Sequence, residues 1–235
     1  MLTAILHGKA AQVEMDGLPI TWRELFRKRE DLLTSVFFGR LPYLSDEACN
    51  AIWSLLVGST LAAAFGPLRE VQFWPKLDGP TGRKYVEPDV VIEFDEHLLL
   101  VEVKPPFGGE QSIQQWRQEV EALRKSNDDG KAIVLLALGR NMLEWRSTKK
   151  TLENEFERLR LQVFCCEWEQ LLEGINQPVH QMDGRDARIF SDWLDAFQLF
   201  GMAPPKAPFS DLLPLCGSPY ELDDSFASLG RWVIR

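Results

Sequence analysis

Residues 86–104, VEPDVVIEFDEHLLLVEVK, constrain the fold more than any other stretch of the chain. Two runs, 86–94 and 98–104, are dense in Val, Ile, Leu and Phe and are split by Asp95-Glu96-His97, the pattern of two strands joined by a short turn. Strands this apolar belong in a sheet covered on both faces. Yet the stretch also carries Asp89, Glu102 and Lys104, and an unpaired charge inside such a sheet is costly. Side chains two apart on a strand share a face, so Glu102 and Lys104 point the same way. If the hairpin turns about Asp95-Glu96, residue 94 faces 97 and Asp89 stands opposite Glu102 on that face. A slip of one residue would part them.

The remaining sequence supplies elements on either side. TWRELFRKREDLLTSVFF (21–38) suits one helix, with Thr21 and Glu24 in capping-box spacing and an apolar face through Trp22, Leu25, Phe26, Leu32, Leu33 and Phe37. Residues 46–64 read as a second helix, 69–77 as a strand, and the Gly- and Pro-rich 78–84 as a turn. After PPFGGE come a helix from about Gln111 to Ser126, a buried strand at 131–139, a helix at 147–159, a strand at 161–168 and a helix at 186–200. From 201 the character changes. Five prolines and two glycines fall within 201–219, as in an extended arm.

Composition narrows the class. At 235 residues, 45% hydrophobic and 26% charged, the chain suits one globular domain with a small appendage. No apolar run is long enough to span a membrane, and the N-terminus lacks the pattern of a signal peptide. Cys49, Cys165, Cys166 and Cys216 form no CxxC pair, so buried free thiols in a reducing cytoplasm are expected. The net charge of −9 argues against a chain that coats nucleic acid indiscriminately, although WRELFRKRED, TGRK and RSTKK are locally basic. With His7, His97 and His180 alone, no HNH, HD or zinc-protease pattern is available, and neither GxxxxGK[ST] nor GxSxG occurs. The tryptophans fit packing better than base stacking.

Two carboxylates side by side raise one another's pKa, and a hard divalent cation, Mg²⁺ or Mn²⁺, removes that penalty. Such an ion binds a phosphate oxygen and activates water, while a lysine beside it stabilises developing negative charge. Pro88 cannot donate to a ladder, so it suits the start of a strand and leaves Asp89 at an accessible end. A purely structural role would have Lys104 paired with Glu102 or Asp89.

Pro88-Asp89, twelve intervening residues, then Glu102-Val103-Lys104 resembles the motif of the PD-(D/E)xK nuclease superfamily, and the order of elements over residues 20–170 is similar. The resemblance implies an α/β fold of the restriction-endonuclease-like kind, a mixed central sheet flanked by helices over residues 1–200, followed by the Pro-rich C-terminal arm at 201–235, docked on the domain or on a partner. It implies Asp89 and Glu102 as metal ligands, the Val103 backbone carbonyl as a third, and Lys104 as the catalytic lysine. Many members add an acid from the first helix; here Glu30 is the first choice and Asp31 the second. Several carry a glutamine in the helix after the motif, and Gln111, Gln114 and Gln115 are candidates. Gln111 and Gln115 stand four apart and share a face. The QxxxY pattern of one branch is not met, because Glu119 stands where the tyrosine would follow Gln115, so a plain surface role for Gln115 is as open as a catalytic one.

The expected activity is a Mg²⁺- or Mn²⁺-dependent endonuclease that hydrolyses phosphodiesters of DNA, with Arg23, Arg27, Lys28, Arg83 and Lys84 gripping the backbone. No DNA-reading module is visible, so specificity is expected from a partner protein, a homodimer or the C-terminal arm. A part in prokaryotic defence against phage DNA follows by analogy of fold alone. The alternative is a catalytically silent scaffold or binding subunit on the same fold. RNA or branched DNA as substrate is not separable from DNA by sequence.

Overall fold

The structure, a computed structural model, describes residues 2–80, 84–106, 109, 111–140, 145–176 and 184–202. The chain separates into two compact units, 1–203 and 204–235; the second, which holds nearly all of the expected Pro-rich arm and Cys216, lies outside the described residues.

The elements run α1 (Leu2–Leu6), β1 (Val13–Met15), β2 (Leu18–Ile20), α2 (Trp22–Lys28), α3 (Glu30–Phe38), α4 (Asp46–Val57), α5 (Ser59–Phe65), β3 (Glu70–Phe73), β4 (Leu77–Asp78), β5 (Tyr85–Val86), β6 (Val90–Glu93), β7 (His97–Val103), α6 (Ile113–Ser126), β8 (Ala132–Leu138), α7 (Trp145–Glu155), β9 (Gln162–Cys166), α8 (Trp168–Asn176) and α9 (Gly184–Leu199). Five strands form a mixed sheet in the order β3-β6-β7-β8-β9. β3, β6 and β7 make an antiparallel meander, and β8 and β9 run parallel to β7. The parallel steps pass through α6 and α7, the long crossovers that such pairing requires.

The register of the motif hairpin is the one the sequence predicts. Val90 faces Val101 and Glu93 faces Leu98, and the two-residue turn closes with the Phe94 amide donating to the His97 carbonyl at 3.0 Å. Side chains then alternate between two cores. Val90, Ile92, Leu99, Val101, Val134 and Leu136 pack beneath α3, α4, α5, α8 and α9, with Phe37, Trp53, Phe65, Trp168 and Trp193 as the large buried groups. Val91, Leu100, Ile133 and Leu135 pack on the other face against Trp116, Val120 and Leu123 of α6 and Leu152 of α7. β8 is buried along its whole length, which explains its unbroken apolar sequence.

Several expected elements are divided. The helix over 21–38 is two helices, because Arg29 adopts an extended conformation between them. The Thr21–Glu24 capping box starts α2 as expected, and the break makes Glu30 the first residue of α3, where acids favour the positive end of the helix dipole. The helix over 46–64 is broken at Gly58, whose φ of 85° is one that only glycine adopts readily. The strand over 69–77 ends at Phe73, and Leu77–Asp78 pairs instead with Tyr85–Val86, so the run from 86 enters the main sheet only at Val90. α1, the β1–β2 hairpin and α8 add to the expected set. The hairpin turns on Asp16-Gly17, both at positive φ, the usual chemistry of a two-residue turn.

The three thiols among the described residues are free, with Cys166 buried and Cys49 and Cys165 half-buried. Burial pushes them up to about 11, 11 and 12 for Cys49, Cys166 and Cys165, which keeps all three protonated at neutral pH. Among the described residues no helix is long and apolar enough to cross a membrane.

Candidate active site

At the end of β7 the sheet opens and the charged residues of the motif meet. Asp89 immediately precedes β6, across from Glu102 in the continued register. Its Oδ2 accepts the Val103 amide hydrogen at 2.7 Å, and its own carbonyl accepts from the Trp74 amide at 3.0 Å. The strand ladder thus ends with the Asp89 carboxylate in place of a backbone carbonyl, which fixes that side chain against β7.

Glu102 is 2% exposed. Its Oε1 accepts from the Lys104 ammonium and from the Gln115 amide at 2.7 Å. The ion pair that a purely structural role would require is therefore present. The backbone around Lys104 is tightly held: its amide donates to the Leu138 carbonyl at 2.8 Å, and its carbonyl accepts from the Trp168 indole at 2.9 Å. Gly139 passes so close that an added Cβ would lie 2.1 Å from that carbonyl oxygen, and its φ is +109°. A glycine is required there.

α6 covers the site with a row of amides. Gln111, just ahead of the helix and 5% exposed, donates to the carbonyls of Glu102 and Leu138 at 3.3 and 3.4 Å and accepts from the Trp116 indole at 2.9 Å. It ties the ends of β7 and β8 to the helix. Gln115 donates to both Glu102 and Glu119, at 2.7 and 3.0 Å. So Gln111 and Gln115 both reach the site, in different roles, whereas Gln114 lies outward beside Arg117.

Glu119 is the residue that sequence reasoning passed over. It is 2% exposed, and its Oε2 has no donor within hydrogen-bonding geometry. The Glu102 carboxyl is its immediate neighbour. A proton or a cation between two such groups meets the need of both. The available signal was its position, four residues after Gln115 and one before Val120 of the buried stripe.

Burial dominates the electrostatics. Asp89 is pushed up to about 7 by burial and by the Glu102 charge, against the Val103 amide and Lys104. Glu102 is pushed up to about 7 by burial and by Glu119, against Lys104 and Gln115. Glu119 is pushed up to about 7, again by burial first. Burial works to lower Lys104, but the Glu102 charge and hydrogen bond outweigh it and the ammonium ends above its ordinary value. Glu30 is raised by burial while the Lys104 charge opposes this, and Asp89 feels Glu30 in turn. Glu30 therefore stands within electrostatic reach of the site, while Asp31 is exposed. Glu93 lies at the other end of β6, paired with Lys131 at 2.5 Å. Glu110 lies outside the described residues.

Asp89 and Glu102, which feel one another's charge only as far as Glu102 raises Asp89, and the Val103 carbonyl, 3.3 Å from the Lys104 ammonium, are the hard oxygen donors at this sheet end. Among the described residues no three His, Cys, Asp or Glu side chains stand close enough together to hold a metal ion. A cation here would have two carboxylates, one carbonyl and water, a set that suits Mg²⁺, which keeps several of its waters.

Of the expected backbone-gripping residues, Arg23 and Arg27 are exposed and anchored within the chain, donating to the carbonyls of Leu6 at 3.2 Å and Leu199 at 3.0 Å. Lys84 is exposed; Arg83 and the side chain of Lys28 lie outside what the structure describes.

No family model matches the chain. It is 26% identical over 212 residues to the uncharacterized protein PM0110 of Pasteurella multocida (strain Pm70), an alignment covering 86% of this chain and 80% of that protein. Among solved structures, the protein of unknown function AF1548 matches 66% of this chain over 100% of its own, at 10% identity and a TM-score of 0.30, a likeness too distant to carry an argument. What stands is a mixed α/β domain, a five-stranded mixed sheet between layers of helices, with a charged cluster at one end of its motif hairpin.

Proposed function

We propose that the chain is a metal-dependent endonuclease of the restriction-endonuclease-like, PD-(D/E)xK kind, acting on phosphodiesters of DNA. One observation carries the reading. The half-buried Asp89 at the head of β6, the buried Glu102 of β7 and the ammonium of Lys104 lie at one sheet end, where burial first, with the Glu102 charge acting on Asp89 and the Glu119 charge on Glu102, pushes each acid up to about 7. A fold seeking stability alone gains little from such a cluster, since apolar residues in the same positions would avoid the desolvation cost.

In this reading Asp89, Glu102 and the Val103 carbonyl hold Mg²⁺ or Mn²⁺, which when bound activates water and stabilises charge on the phosphate. Lys104, drawn beside Glu102, presents its ammonium to the oxygen that gains charge as the bond breaks. Gln115 holds the Glu102 carboxylate in one orientation, and Gln111 fixes the strand ends beneath it. Glu30, at the head of α3, is the reserve acid, near enough to steady Lys104 or to hold a water. A role in defence against phage DNA rests on analogy of fold.

The silent-scaffold reading has one observation in its favour, the absence among the described residues of a three-acid metal group. Calorimetric titration with Mn²⁺, with plasmid cleavage run alongside, separates the two. The nuclease reading expects binding by the wild type, loss of binding in Asp89→Asn, and cleavage that EDTA abolishes. Absence of both binding and cutting would leave the scaffold.

A further inference from the structure

Two polar clefts adjoin on the outer side of α6. The first, about 440 Å³, lies between Tyr85-Val86-Glu87 and the start of the helix, and reaches Gln115 and Glu119 beside the candidate active site. The second, about 450 Å³, runs on between Pro80 and the far half of the helix, to Arg124 and Lys125. Gln114 and Gln118 line both. Residues 114, 118, 121 and 125 recur at helical spacing, so the two clefts are one groove along one face of α6. The β4–β5 ribbon forms its other wall, held there by Lys125 donating to the Gly79 carbonyl at 2.9 Å.

We propose that this groove is the track for one strand of duplex DNA, leading from Gln115 and Glu119, beside the candidate active site, out to a phosphate clamp at Arg124 and Lys125. The inference rests on the nuclease reading and deepens it. Its chemistry is graded in a way that suits this occupant. The inner end is acidic, with Glu87 and Glu119, where a cation rather than a protein base would meet the phosphate. The middle offers the neutral amides of Gln114 and Gln118 as donors to phosphate or sugar oxygens. The outer end is basic: Arg117 is neutralised by Glu155 at 2.7 Å, which leaves Arg124 and Lys125 against Glu121. Tyr85 on the wall is 51% exposed, and the Lys76 ammonium lies over its ring at 5.4 Å, which adds a cation beside the groove. At about 1.5 Å per residue the helix carries the clamp nine or ten residues, or about 14–15 Å, from Gln115, the axial rise of about four base pairs.

The test is fluorescence anisotropy of a labelled DNA duplex over a salt series, with Ca²⁺ as the cation to hold cleavage in check. Wild type is compared with Arg124→Glu/Lys125→Glu and with Arg146→Glu/Lys150→Glu on α7, which makes the same change in net charge. The groove variant is expected to bind about tenfold or more weakly, with the slope of log K against log salt reduced by about two, because two phosphate contacts are lost. The α7 variant should stay close to wild type. Should the glutamate variant fail to fold, Arg124→Gln/Lys125→Gln is expected to lower the slope by the same two contacts. Equal affinity and slope in a groove variant, with wild-type cleavage intact in Mg²⁺, would overturn the groove and spare the nuclease. Competition by polyglutamate as effective as by unlabelled duplex would assign the groove to an acidic peptide and overturn it likewise. A wild type that neither binds nor cuts DNA with any cation would overturn both.

Discussion

Replacing Asp89 by Asn keeps the shape of the side chain and its acceptor for the Val103 amide, and removes only the charge. Asp89 is held at about 7 against an ordinary 3.8. A gap of about three pH units sets a ceiling of about 4 kcal/mol on the cost of ionising it in the folded protein. The side chain is half-buried and its repulsion is shared with Glu102, so water screens part of that cost, and a charge-assisted hydrogen bond is lost with the substitution. About 1–2 kcal/mol should remain. The sign follows from proton binding. A carboxyl raised in the folded state keeps its proton where the unfolded chain has released it, so wild-type stability is fully present at about pH 4 and falls as pH rises through about 7. In EDTA at about pH 8, Asp89→Asn should therefore melt about 2–8 °C above wild type, taking about 2–4 °C per kcal/mol for a domain of this size. At about pH 4, where both proteins are neutral at this position, the difference should shrink towards zero. Thermal unfolding followed by circular dichroism at the two pH values reads this directly. An equal difference at both, or a wild type more stable at the higher pH, would refute the electrostatic account of the cluster.

Other consequences are simpler to state. Gln115→Leu frees the carboxylates of Glu102 and Glu119 from their shared donor, and should weaken Mn²⁺ binding about tenfold while leaving the fold intact; calorimetry checks it. Gly139→Ala forces a Cβ onto the Lys104 carbonyl at a positive φ, and should lower stability by at least about 1–3 kcal/mol, seen as an earlier urea midpoint. Adding Mn²⁺ at about pH 8 should raise the melting temperature of wild type and leave Asp89→Asn unmoved, since ligand binding to the folded state alone stabilises it.

Much of this site could be read from the chain because a strand repeats every two residues. Once the turn at Asp95-Glu96 was identified, the period placed Asp89, Glu102 and Lys104 on one face, and the observed register agrees. Helical periodicity gave less. The stripe through Trp22, Phe26, Leu33 and Phe37 runs smoothly across Arg29, so nothing in it betrays the break that sets Glu30 at the head of its own helix. Gly58 was a visible warning, but a single glycine is tolerated inside many helices. The Asp16-Gly17 turn was legible by its residues and hidden by the brevity of its strands, three residues each. Glu119 shows the limit of pattern reading. An acid beside a buried stripe reads as surface, and only the three-dimensional neighbours, Gln115 and Glu102, explain why it is buried.

Lys104 separates the nuclease from the silent scaffold most sharply. Its ammonium sits beside Glu102 at the surface end of the cluster, with its side chain 16% exposed, and its removal takes a charge from the site without opening the apolar core. Cleavage of supercoiled plasmid by freshly purified wild type and Lys104→Ala, in Mg²⁺, Mn²⁺ or EDTA, is the most direct measurement. The prediction is metal-dependent nicking or linearisation by the wild type, and loss of it by about two orders of magnitude or more in a variant of unchanged fold. Cleavage by Lys104→Ala at the wild-type rate, or cleavage by the wild type that EDTA does not stop, would contradict it.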